Sequence, residues 1–309
     1  MKRSSSYKNK VAITTTSFAE YDKKPLEILK ENGVEVVSNK YKRKLSGDEL
    51  VELCGECIGI IAGTETLGRK VLAGLPRLKV ISRCGTGLEN VDLVATHELN
   101  IKVYNTPDAP TLAVSELTIS LILSLLRKTG QMDRALRSGV WKKEMGNLLS
   151  GKGVGIIGLG RIGNKVAELL KGFGCKIAYY DPLVQKDDLG LQKMPLKELL
   201  AWADILTIHA TVKGPIIDKK EFEMMKPGAF LINTSRGEAV NEDALYQALE
   251  KGSLAGAALD VFQKEPYTGP LTKLDNVIIT PHIGSYARES RIHMEIEAVK
   301  NLVEGIRSE

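Results

Sequence analysis

Short apolar runs rich in β-branched residues alternate with amphipathic runs along the first hundred residues. The apolar runs have the length of buried strands and the amphipathic runs have helical periodicity, so the alternation predicts βαβ units around a parallel sheet. The predicted strands are Val11–Thr15, Val34–Val37, Ile58–Ala62, Leu78–Ser82 and Lys102–Asn105, and the predicted helices are Pro25–Asn32, Asp48–Cys57 and Val91–Leu99. The fourth strand should lead into a glycine-broken loop, Arg83–Gly87.

The same alternation restarts at Gly153 and predicts a second parallel sheet. Near-continuous apolar strands are typical of a sheet covered on both faces. The predicted strands here are Val154–Ile157, Lys176–Asp181, Ile205–His209, Phe230–Asn233, Gly256–Asp260 and Val277–Thr280. We therefore expect an α/β protein with two Rossmann-like, doubly wound parallel-sheet domains, the first of them flavodoxin-like.

Proline-containing segments mark two expected crossings between the domains, Thr106–Pro110 and Pro281–Gly284. A dense apolar run, Thr111–Leu126, predicts a buried helix after the first crossing, and a helix over Ser285–Ile306 should return to the first domain after the second. The expected domains are residues 1–105, completed by 285–309, and residues 106–284.

Composition excludes several classes of protein. The chain has 309 residues, 43% of them hydrophobic, which is enough for two cores. Its net charge of +5 resides largely in Lys2–Lys10 and Lys40–Lys44, which are either solvated surface or a means of attracting an anionic substrate. No nucleic-acid module accompanies these residues, so nucleic acid is not an expected partner.

The chain also lacks the sequence marks of membrane insertion and of disulfide cross-linking. No apolar run reaches membrane-spanning length, and no cleavable apolar leader follows the amino terminus, so we expect a cytoplasmic protein without membrane contact. Its four cysteines are too scattered to cross-link a chain of this length. Cys54 and Cys57 form a CxxC late in an amphipathic run, where two packed thiols are more expected than a metal or redox site. No metal site is expected.

Gly158, Gly160 and Gly163 form a GxGxxG motif between a predicted strand and a predicted helix. In that context the first glycine permits a tight turn, the second lets the backbone approach a pyrophosphate, and the third lets helix and strand pack closely. Asp181 ends the following strand 18 residues later, where a carboxylate binds the ribose hydroxyls of a dinucleotide. Because that carboxylate would repel a 2′-phosphate, the pattern favours NAD over NADP.

Three further segments each end a predicted strand of the second domain, where an open parallel sheet binds ligands. They contain Arg236, Asp260 with Glu265, and His282. Reduction of a 2-oxo acid needs a cation for the carboxylate and ketone and an acid for the developing alkoxide. Arg236 and His282 could supply these, and Glu265 would stabilise the protonated imidazole.

The sequence resembles the D-isomer-specific 2-hydroxyacid dehydrogenase family over nearly its whole length. The motifs that carry the resemblance are SRCGTGLENVD, NTPDAPTLAVSELT, WKKEMGNLLSGKGVGIIGLGRIG, MKPGAFLINTSRGEAVNEDAL, ALDVFQKEP and TPHIGS. The resemblance implies that the first domain binds substrate and the second binds NAD. It implies hydride transfer between nicotinamide and C2 of a small D-2-hydroxy acid.

The resemblance also assigns roles to individual residues. The implied catalytic residues are Arg236, Glu265 and His282. The implied cofactor-binding residues are Gly158, Gly160, Arg161, Ile162, Gly163, Asp181, His209, Thr234, Ser235, Asp260 and Val114. The implied substrate-binding residues are Arg83, Cys84, Gly85, Thr86 and Gly87, together with Arg236 and His282. The chain departs from the family pattern after His209, where the usual proline is missing and the loop is shorter.

Within the family, the motif CGTGLENVDL is closest to phosphoglycerate dehydrogenases, so 3-phosphoglycerate and serine biosynthesis are the first expectation. Arg83, Lys142 and Lys143 are candidate phosphate ligands, but the stretch Ala62–Glu65 lacks an arginine that many such enzymes carry. Hydroxypyruvate, glyoxylate or D-lactate reduction is the alternative. A non-enzymatic, corepressor-like NAD-binding role is less expected. Glu265 argues against formate dehydrogenation, in which glutamine takes its place.

The family resemblance further implies a homodimer. The contact between cofactor domains would be made by Leu112–Gly151, a segment whose first part, up to Leu126, is densely apolar.

Overall fold

The computed structural model describes residues 9–185, 187–211 and 214–308. The chain divides into two compact units. Unit 1 contains the chain up to Pro110 and from Tyr286 onward, and unit 2 is Thr111–Ser285. Elements are numbered along the chain across both units.

Unit 1 is built on a five-stranded sheet in the order β2-β1-β3-β4-β5, with every neighbouring pair parallel. The strands are β1 (Lys10–Ile13), β2 (Glu35–Ser38), β3 (Gly59–Ala62), β4 (Val80–Arg83) and β5 (Lys102–Tyr104). The helices are α1 (Lys24–Glu31), α2 (Gly47–Cys54), α3 (Arg69–Ala73), α4 (Leu93–Glu98) and, from the carboxyl-terminal part of the chain, α11 (Arg288–Arg307).

Alternate residues of these strands enter two different cores, because successive strand side chains point to opposite faces. Ala12 and Ile60 belong to one core, whereas the adjacent Val11 and Ile61 join a second core that includes α11. The sheet is therefore covered on both faces. This is why its strands lack the polar alternation of a half-exposed sheet.

Unit 2 contains a seven-stranded parallel sheet in the order β12-β11-β10-β9-β6-β7-β8. The strands are β6 (Gly153–Ile157), β7 (Lys176–Tyr180), β8 (Gln192–Lys193), β9 (Ile205–Ile208), β10 (Ala229–Asn233), β11 (Leu254–Leu259) and β12 (Val277–Ile279). The helices are α5 (Thr111–Arg127), α6 (Thr129–Arg137), α7 (Arg161–Lys171), α8 (Leu196–Trp202), α9 (Lys219–Met224) and α10 (Glu242–Glu250). The expected fold class, with two doubly wound parallel sheets, is confirmed.

Several predicted boundaries were wrong, and capping explains one of them. Helix α2 begins after Ser46, whose side chain accepts from the Glu49 N–H in a capping box, and it ends at Cys54 instead of Cys57. The first strand stops at Ile13, so Thr14 and Thr15 lie beyond it, and the last helix begins at Arg288 rather than Ser285.

The elements for which no range was predicted include α3, α6 and β8. Helix α6 buries no residue, so it lacks the apolar stripe by which a helix is recognised in a sequence. Strand β8 has two exposed residues at the edge of the sheet, which is too short for a period-two pattern.

Three features of the described residues bear on alternative functions. None of their helices is both long and apolar enough to span a membrane. They contain no group of three or more histidine, cysteine, aspartate or glutamate side chains placed to hold a metal ion. Cys54 and Cys57 are free, fully buried thiols, and burial raises the pKa of both.

Candidate functional site

The residues singled out in unit 2 follow the carboxyl ends of six strands of one parallel sheet. Since all these strands run in the same direction, their ends lie along one edge. The strand order reverses next to β6, whose neighbours are β7 and β9. Ligands of open α/β sheets bind at such a reversal. The glycine motif lies at this point, directly after β6.

The glycine turn requires its glycines at two positions. Gly158 has φ of +90°, and a Cβ there would come within 2.6 Å of the Ala210 nitrogen. A Cβ on Gly163 would overlap with the Gly158 carbonyl oxygen. Gly160, by contrast, faces open space, with no heavy atom within 4 Å of a built Cβ. The turn thus has no room for a side chain at Gly158 or Gly163, whereas the space beside Gly160 is free.

Helix α7 starts from this open glycine without a capping side chain. The first N–H groups of a helix have no partner inside the helix, and they carry a partial positive charge. Arg161, Ile162 and Gly163 form its first turn. An uncapped helix start beside an open backbone turn is suited to bind a phosphate group.

Asp181 is nearly buried and ties two backbone segments together. Its Oδ2 accepts from the Leu159 N–H at 2.8 Å, and its Oδ1 accepts from the N–H groups of Leu183 and Val184. The carboxylate is therefore fixed against the glycine turn, with Oδ2 accepting one bond only. A dinucleotide fits this set of groups, with its pyrophosphate at the α7 start and its ribose at Asp181.

The imidazole of His282 is oriented by a carboxylate. Its Nδ1 lies 2.9 Å from Glu265 Oε2, and Glu265 Oε1 accepts from the Phe262 N–H at 3.1 Å. His282 is 52% exposed at its side chain, so the ring remains accessible to a ligand. With Nδ1 engaged, Nε2 is the ring nitrogen left for a substrate.

The turn that carries His282 is held by Asp260, which is 1% exposed. Asp260 Oδ1 accepts from Thr280 Oγ1 at 2.6 Å and from the Ile283 N–H at 2.8 Å, and Oδ2 accepts from the Gly284 N–H at 2.8 Å. His282 itself has φ of +55°, a conformation that non-glycine residues adopt at a cost. Three hydrogen bonds to one buried carboxylate offset that cost.

Arg236 lies on a loop ordered by Asn233, the last residue of β10. Asn233 Oδ1 accepts from the N–H and the hydroxyl of Ser235, and its Nδ2 donates to the Arg236 carbonyl. The next residue, Gly237, approaches the backbone of Phe262 so closely that a Cβ would overlap with it. The arginine loop therefore packs against the segment that leads to Glu265.

Helix α5 closes the same edge from one side. Thr118 Oγ1 lies 2.9 Å from Thr234 Oγ1, and a Cβ on Gly284 would lie 3.2 Å from Val114 Cγ2. Helix α5 thus contacts the arginine loop at Thr234 and contacts the histidine turn through Val114. Both Thr234 and Val114 were expected at the cofactor.

His209 follows β9 and has Nε2 at 2.9 Å from Thr207 Oγ1. Its Nδ1 is buried without a hydrogen-bond partner among the described residues. Burial lowers the pKa of His209 to about 3, so the ring is neutral near neutral pH. The expected irregular loop beyond it includes residues 212 and 213, which lie outside the described residues, as does most of the basic segment Lys2–Lys10.

In unit 1, the loop Arg83–Gly87 follows β4, and part of it is already engaged. The Cys84 N–H donates to the Ala62 carbonyl at 2.9 Å, and the Gly85 N–H donates to Thr106 Oγ1 at 2.7 Å. The Cys84 side chain is 4% exposed, and burial raises its pKa to about 11. The N–H groups of Thr86 and Gly87 have no partner among the described residues, which leaves them as the loop's available donors.

Sequence reasoning gave no role to four residues that order these loops, three in one unit and one in the other. They are Asn233, Thr280 and Thr118 in unit 2 and Thr106 in unit 1. Each is a short polar residue in or beside a motif, and each acts through a hydrogen bond to a neighbouring segment. Composition and spacing do not distinguish such residues from ordinary turn or cap residues.

Comparison with known protein families gives a match over residues 119–284. The matching family model is described as D-isomer specific 2-hydroxyacid dehydrogenase, NAD binding domain. It covers more than half of the chain, including the glycine turn and Arg236, Glu265 and His282.

Curated relatives match over most of the chain. A D-3-phosphoglycerate dehydrogenase of Archaeoglobus fulgidus is 37% identical over 295 residues, covering 91% of this chain and 55% of the relative. A glyoxylate reductase of Thermococcus litoralis is 36% identical over 297 residues, covering 88% and 90%. The chain thus spans about half the length of this phosphoglycerate dehydrogenase and most of the length of this glyoxylate reductase.

Solved structures agree with the fold. A protein of Thermus thermophilus superposes with a TM-score of 0.88 at 34% identity, covering 97% of both chains. A D-lactate dehydrogenase of Aquifex aeolicus, solved with NAD and lactic acid, superposes with a TM-score of 0.82 at 28% identity, covering 96% of both.

Proposed function

The chain belongs to the D-isomer specific 2-hydroxyacid dehydrogenase family, and from this membership we propose that it interconverts a small D-2-hydroxy acid and the matching 2-oxo acid with NAD. The observation that carries the proposal is the contact between His282 Nδ1 and Glu265 Oε2 at 2.9 Å. It lies on the same sheet edge as the glycine turn, which unites a proton-transfer group with a dinucleotide site.

The proton moves through the free ring nitrogen of His282. In reduction, Nε2 of the imidazolium donates a proton to the alkoxide oxygen at C2, and in oxidation the neutral ring accepts it back. Glu265 stabilises the imidazolium and fixes the ring orientation. When bound, the nicotinamide supplies or accepts the hydride.

Two sets of groups bind the substrate in this proposal. The Arg236 guanidinium binds the carboxylate and polarises the 2-oxo group, since a planar guanidinium suits both acceptors. The unengaged N–H groups of Thr86 and Gly87 bind a carboxylate oxygen. Cys84 and Gly85 contribute shape only, because their N–H groups already have acceptors.

The cofactor-binding residues keep the roles that the family pattern implies. Gly158, Gly160 and Gly163 shape the phosphate turn, with Arg161 and Ile162 at the helix start. Asp181 binds the ribose and selects against a 2′-phosphate. Asp260 Oδ2, which accepts one bond only, is available to the nicotinamide carboxamide. His209, Thr234, Ser235 and Val114 complete the lining.

Two finer substrate assignments have support. The motif CGTGLENVDL and the phosphoglycerate dehydrogenase relatives favour 3-phosphoglycerate and its 2-oxo acid, a reaction of serine biosynthesis. The similarity to glyoxylate reductases, 36% identical over 297 residues for one of them, favours an unphosphorylated acid, such as hydroxypyruvate, glyoxylate or a D-lactate-type substrate.

The test is NADH oxidation by the purified protein with 3-phosphohydroxypyruvate, hydroxypyruvate, glyoxylate and pyruvate. We expect turnover with at least one of them, and His282→Ala should lower kcat about 100-fold or more, since a positioned acid contributes that much. NADH titration by fluorescence should give similar Kd values for both proteins.

If the protein binds NADH tightly but oxidises it with none of the acids, the result would contradict the proposal and support a binding role like that of the family's corepressors. Equal kcat for wild type and His282→Ala would contradict the role of the histidine alone.

We also propose a homodimer. The segment after α5 exposes several large apolar side chains, which a solvated monomer surface does not favour as a group. They are Leu136 (53% exposed), Val140 (50%), Trp141 (80%), Met145 (90%) and Leu148 (73%). A second copy of the chain would cover them. Light scattering at micromolar concentration should give twice the chain mass, and a monomeric mass would contradict the proposal.

A further inference from the structure

At the carboxyl edge of the unit 1 sheet, a buried glutamate and a partly buried arginine each have a polar atom without a partner among the described residues. Glu65 follows β3, and Arg83 ends β4 in register with Ala62 of the neighbouring strand. This edge also carries the loop Arg83–Gly87, through which the proposed function binds substrate. Arg83 is thus the first residue of the substrate loop, and Glu65 lies near enough to Arg83 to affect its pKa.

Glu65 is 2% exposed, and its two oxygens differ. Oε1 accepts from the Thr14 hydroxyl and from the Gly63 N–H. No described residue donates to Oε2. Oε2 is not among the fully buried atoms that lack a partner, so it is the oxygen of this carboxylate that water or a ligand can reach.

Arg83 has the opposite deficit. Its side chain folds over Gly85, and Nη1 donates to the Cys84 carbonyl. Its Nε is buried without an acceptor, and no described residue accepts from Nη2. Burial lowers the pKa of this guanidinium, against the opposing effect of nearby Glu65. A buried donor without an acceptor is destabilising, and a ligand oxygen that accepted from it would remove that cost.

A second, partly buried cation at this edge, Arg291, is already paired with a carboxylate. Its Nε donates to Glu295 Oε1 at 2.7 Å, and its Nη2 donates to the Ser17 carbonyl. Glu295 balances Arg291, and Glu65 balances Arg83. These four side chains together thus carry no net positive charge, whereas a phosphate monoester carries about −1.5 to −2 at neutral pH.

A hydroxyl group satisfies both deficits at once, because it donates one hydrogen bond and accepts others. We propose that Glu65 and Arg83 select 2-oxo acids whose C3 carries a free hydroxyl, the hydroxyl donating to Glu65 Oε2 and accepting from Arg83. A phosphorylated C3 is repelled by Glu65, and an unsubstituted methyl leaves both groups unpaired. This inference rests on the proposed function and narrows it to hydroxypyruvate-like substrates.

The first test compares kcat/KM for hydroxypyruvate, pyruvate and 3-phosphohydroxypyruvate. We expect hydroxypyruvate to exceed each of the others at least about tenfold, since sites built to bind a hydroxyl reject analogues without it. Glu65→Gln should shift the ratio of phosphorylated to free hydroxypyruvate at least about tenfold towards the phosphorylated acid, because it removes the repelling charge.

The matched control is Glu56→Gln. It removes one negative charge from unit 1 at a 72% exposed side chain paired with Arg77. It should leave the substrate ratio unchanged. Thermal unfolding of both variants separates an altered ratio from loss of folded protein.

Failure of the inference and failure of the proposed function give different results. Preference for the phosphorylated acid, or equal use of pyruvate and hydroxypyruvate, would overturn the inference while the dehydrogenase proposal stands. If no acid is reduced, the dehydrogenase proposal fails, and calorimetric titration of D-glycerate, D-lactate and 3-phosphoglycerate into the NADH-loaded protein decides the inference. Tightest binding of D-glycerate supports it, and any other order overturns it.

Discussion

The carboxyl edges of the two sheets hold their charged groups in different states. In unit 2, Asp181, Asp260 and Glu265 each accept hydrogen bonds from backbone N–H groups, so their positions are fixed by the chain itself. In unit 1, Glu65 Oε2 has no described donor and Arg83 Nε has no described acceptor. We call the first edge complete because both oxygens of each of these carboxylates accept a hydrogen bond, and the second incomplete because one oxygen of Glu65 does not.

This difference between the edges agrees with their proposed roles, which are hydride and proton transfer in unit 2 and substrate selection in unit 1. Proton and hydride transfer require one geometry whichever acid is bound, so carboxylates held by backbone bonds suit the catalytic edge. Recognition of a particular acid requires groups whose hydrogen bonds are made by the ligand, because an unpaired partner penalises the wrong ligand. Carboxylates that the chain holds on both oxygens thus fix the geometry of an edge, whereas an unpaired carboxylate oxygen can discriminate between substrates.

Among the substitutions at the complete edge, Asp260→Asn should have the largest effect on kcat. The amide nitrogen would face a backbone N–H where a carboxylate oxygen now accepts, at Gly284 or at Ile283, which leaves a buried donor unsatisfied at about 1–3 kcal/mol. The turn would no longer hold His282 in its left-handed conformation. We expect kcat to fall about 30-fold, or about 2 kcal/mol in activation free energy, with KM changed little.

A double-mutant cycle tests whether Asp260 acts through His282. In the His282→Ala background, Asp260→Asn should cause little further loss of kcat, since residues that act as a unit are not additive. A weaker Kd for NADH with an unchanged kcat would instead identify Asp260 as a cofactor ligand only.

The sequence led to the proposed catalytic residues but not to the groups that position them. Arg236, Glu265 and His282 lie in motifs whose order along the chain identifies the family. The three bonds to Asp260 depend on the packing of β11 against β12, which places Asp260 next to the turn after β12. Long-range register of this kind is not encoded in local spacing.

The fold shows the same division. Strands with strong apolar periodicity, such as β3, β6 and β9, were found because each is buried throughout. Helix α6 was missed because nothing in it is buried. The unpaired groups of unit 1 could not be predicted from the sequence either. Glu65 entered the sequence analysis only as part of a stretch that lacks an arginine, because its burial depends on the ends of three strands that meet in the fold.

Asp181→Asn should alter the choice of cofactor with a smaller effect. An asparagine keeps one oxygen for backbone donors but removes the charge that repels a 2′-phosphate. The ratio of kcat/KM for NADH to that for NADPH should fall at least about tenfold, or about 1.4 kcal/mol. Asp133→Asn, which removes an exposed charge paired with Arg137, is the control and should leave the ratio unchanged.

His209→Asn addresses a histidine of the same edge that has a buried, unpartnered ring nitrogen, and we expect it to change the pH dependence of stability. The pKa of His209 lies near 3 in the folded state because of burial, against 6.5 ordinarily. Between these values the unfolded chain binds a proton that the folded chain does not, so stability is lost as the pH falls below 6.5. This loss reaches about 2 kcal/mol at pH 5, and the variant lacks it.

Urea unfolding at pH 7.5 and pH 5.0 measures this difference directly. Wild type should lose more free energy of unfolding between the two pH values than His209→Asn does, whereas His97→Asn, at an exposed histidine, should behave like wild type. Equal losses in all three proteins would mean that the His209 ring accepts a proton in the folded state. Water would then reach the His209 ring in the folded protein, contrary to the burial of its Nδ1 atom.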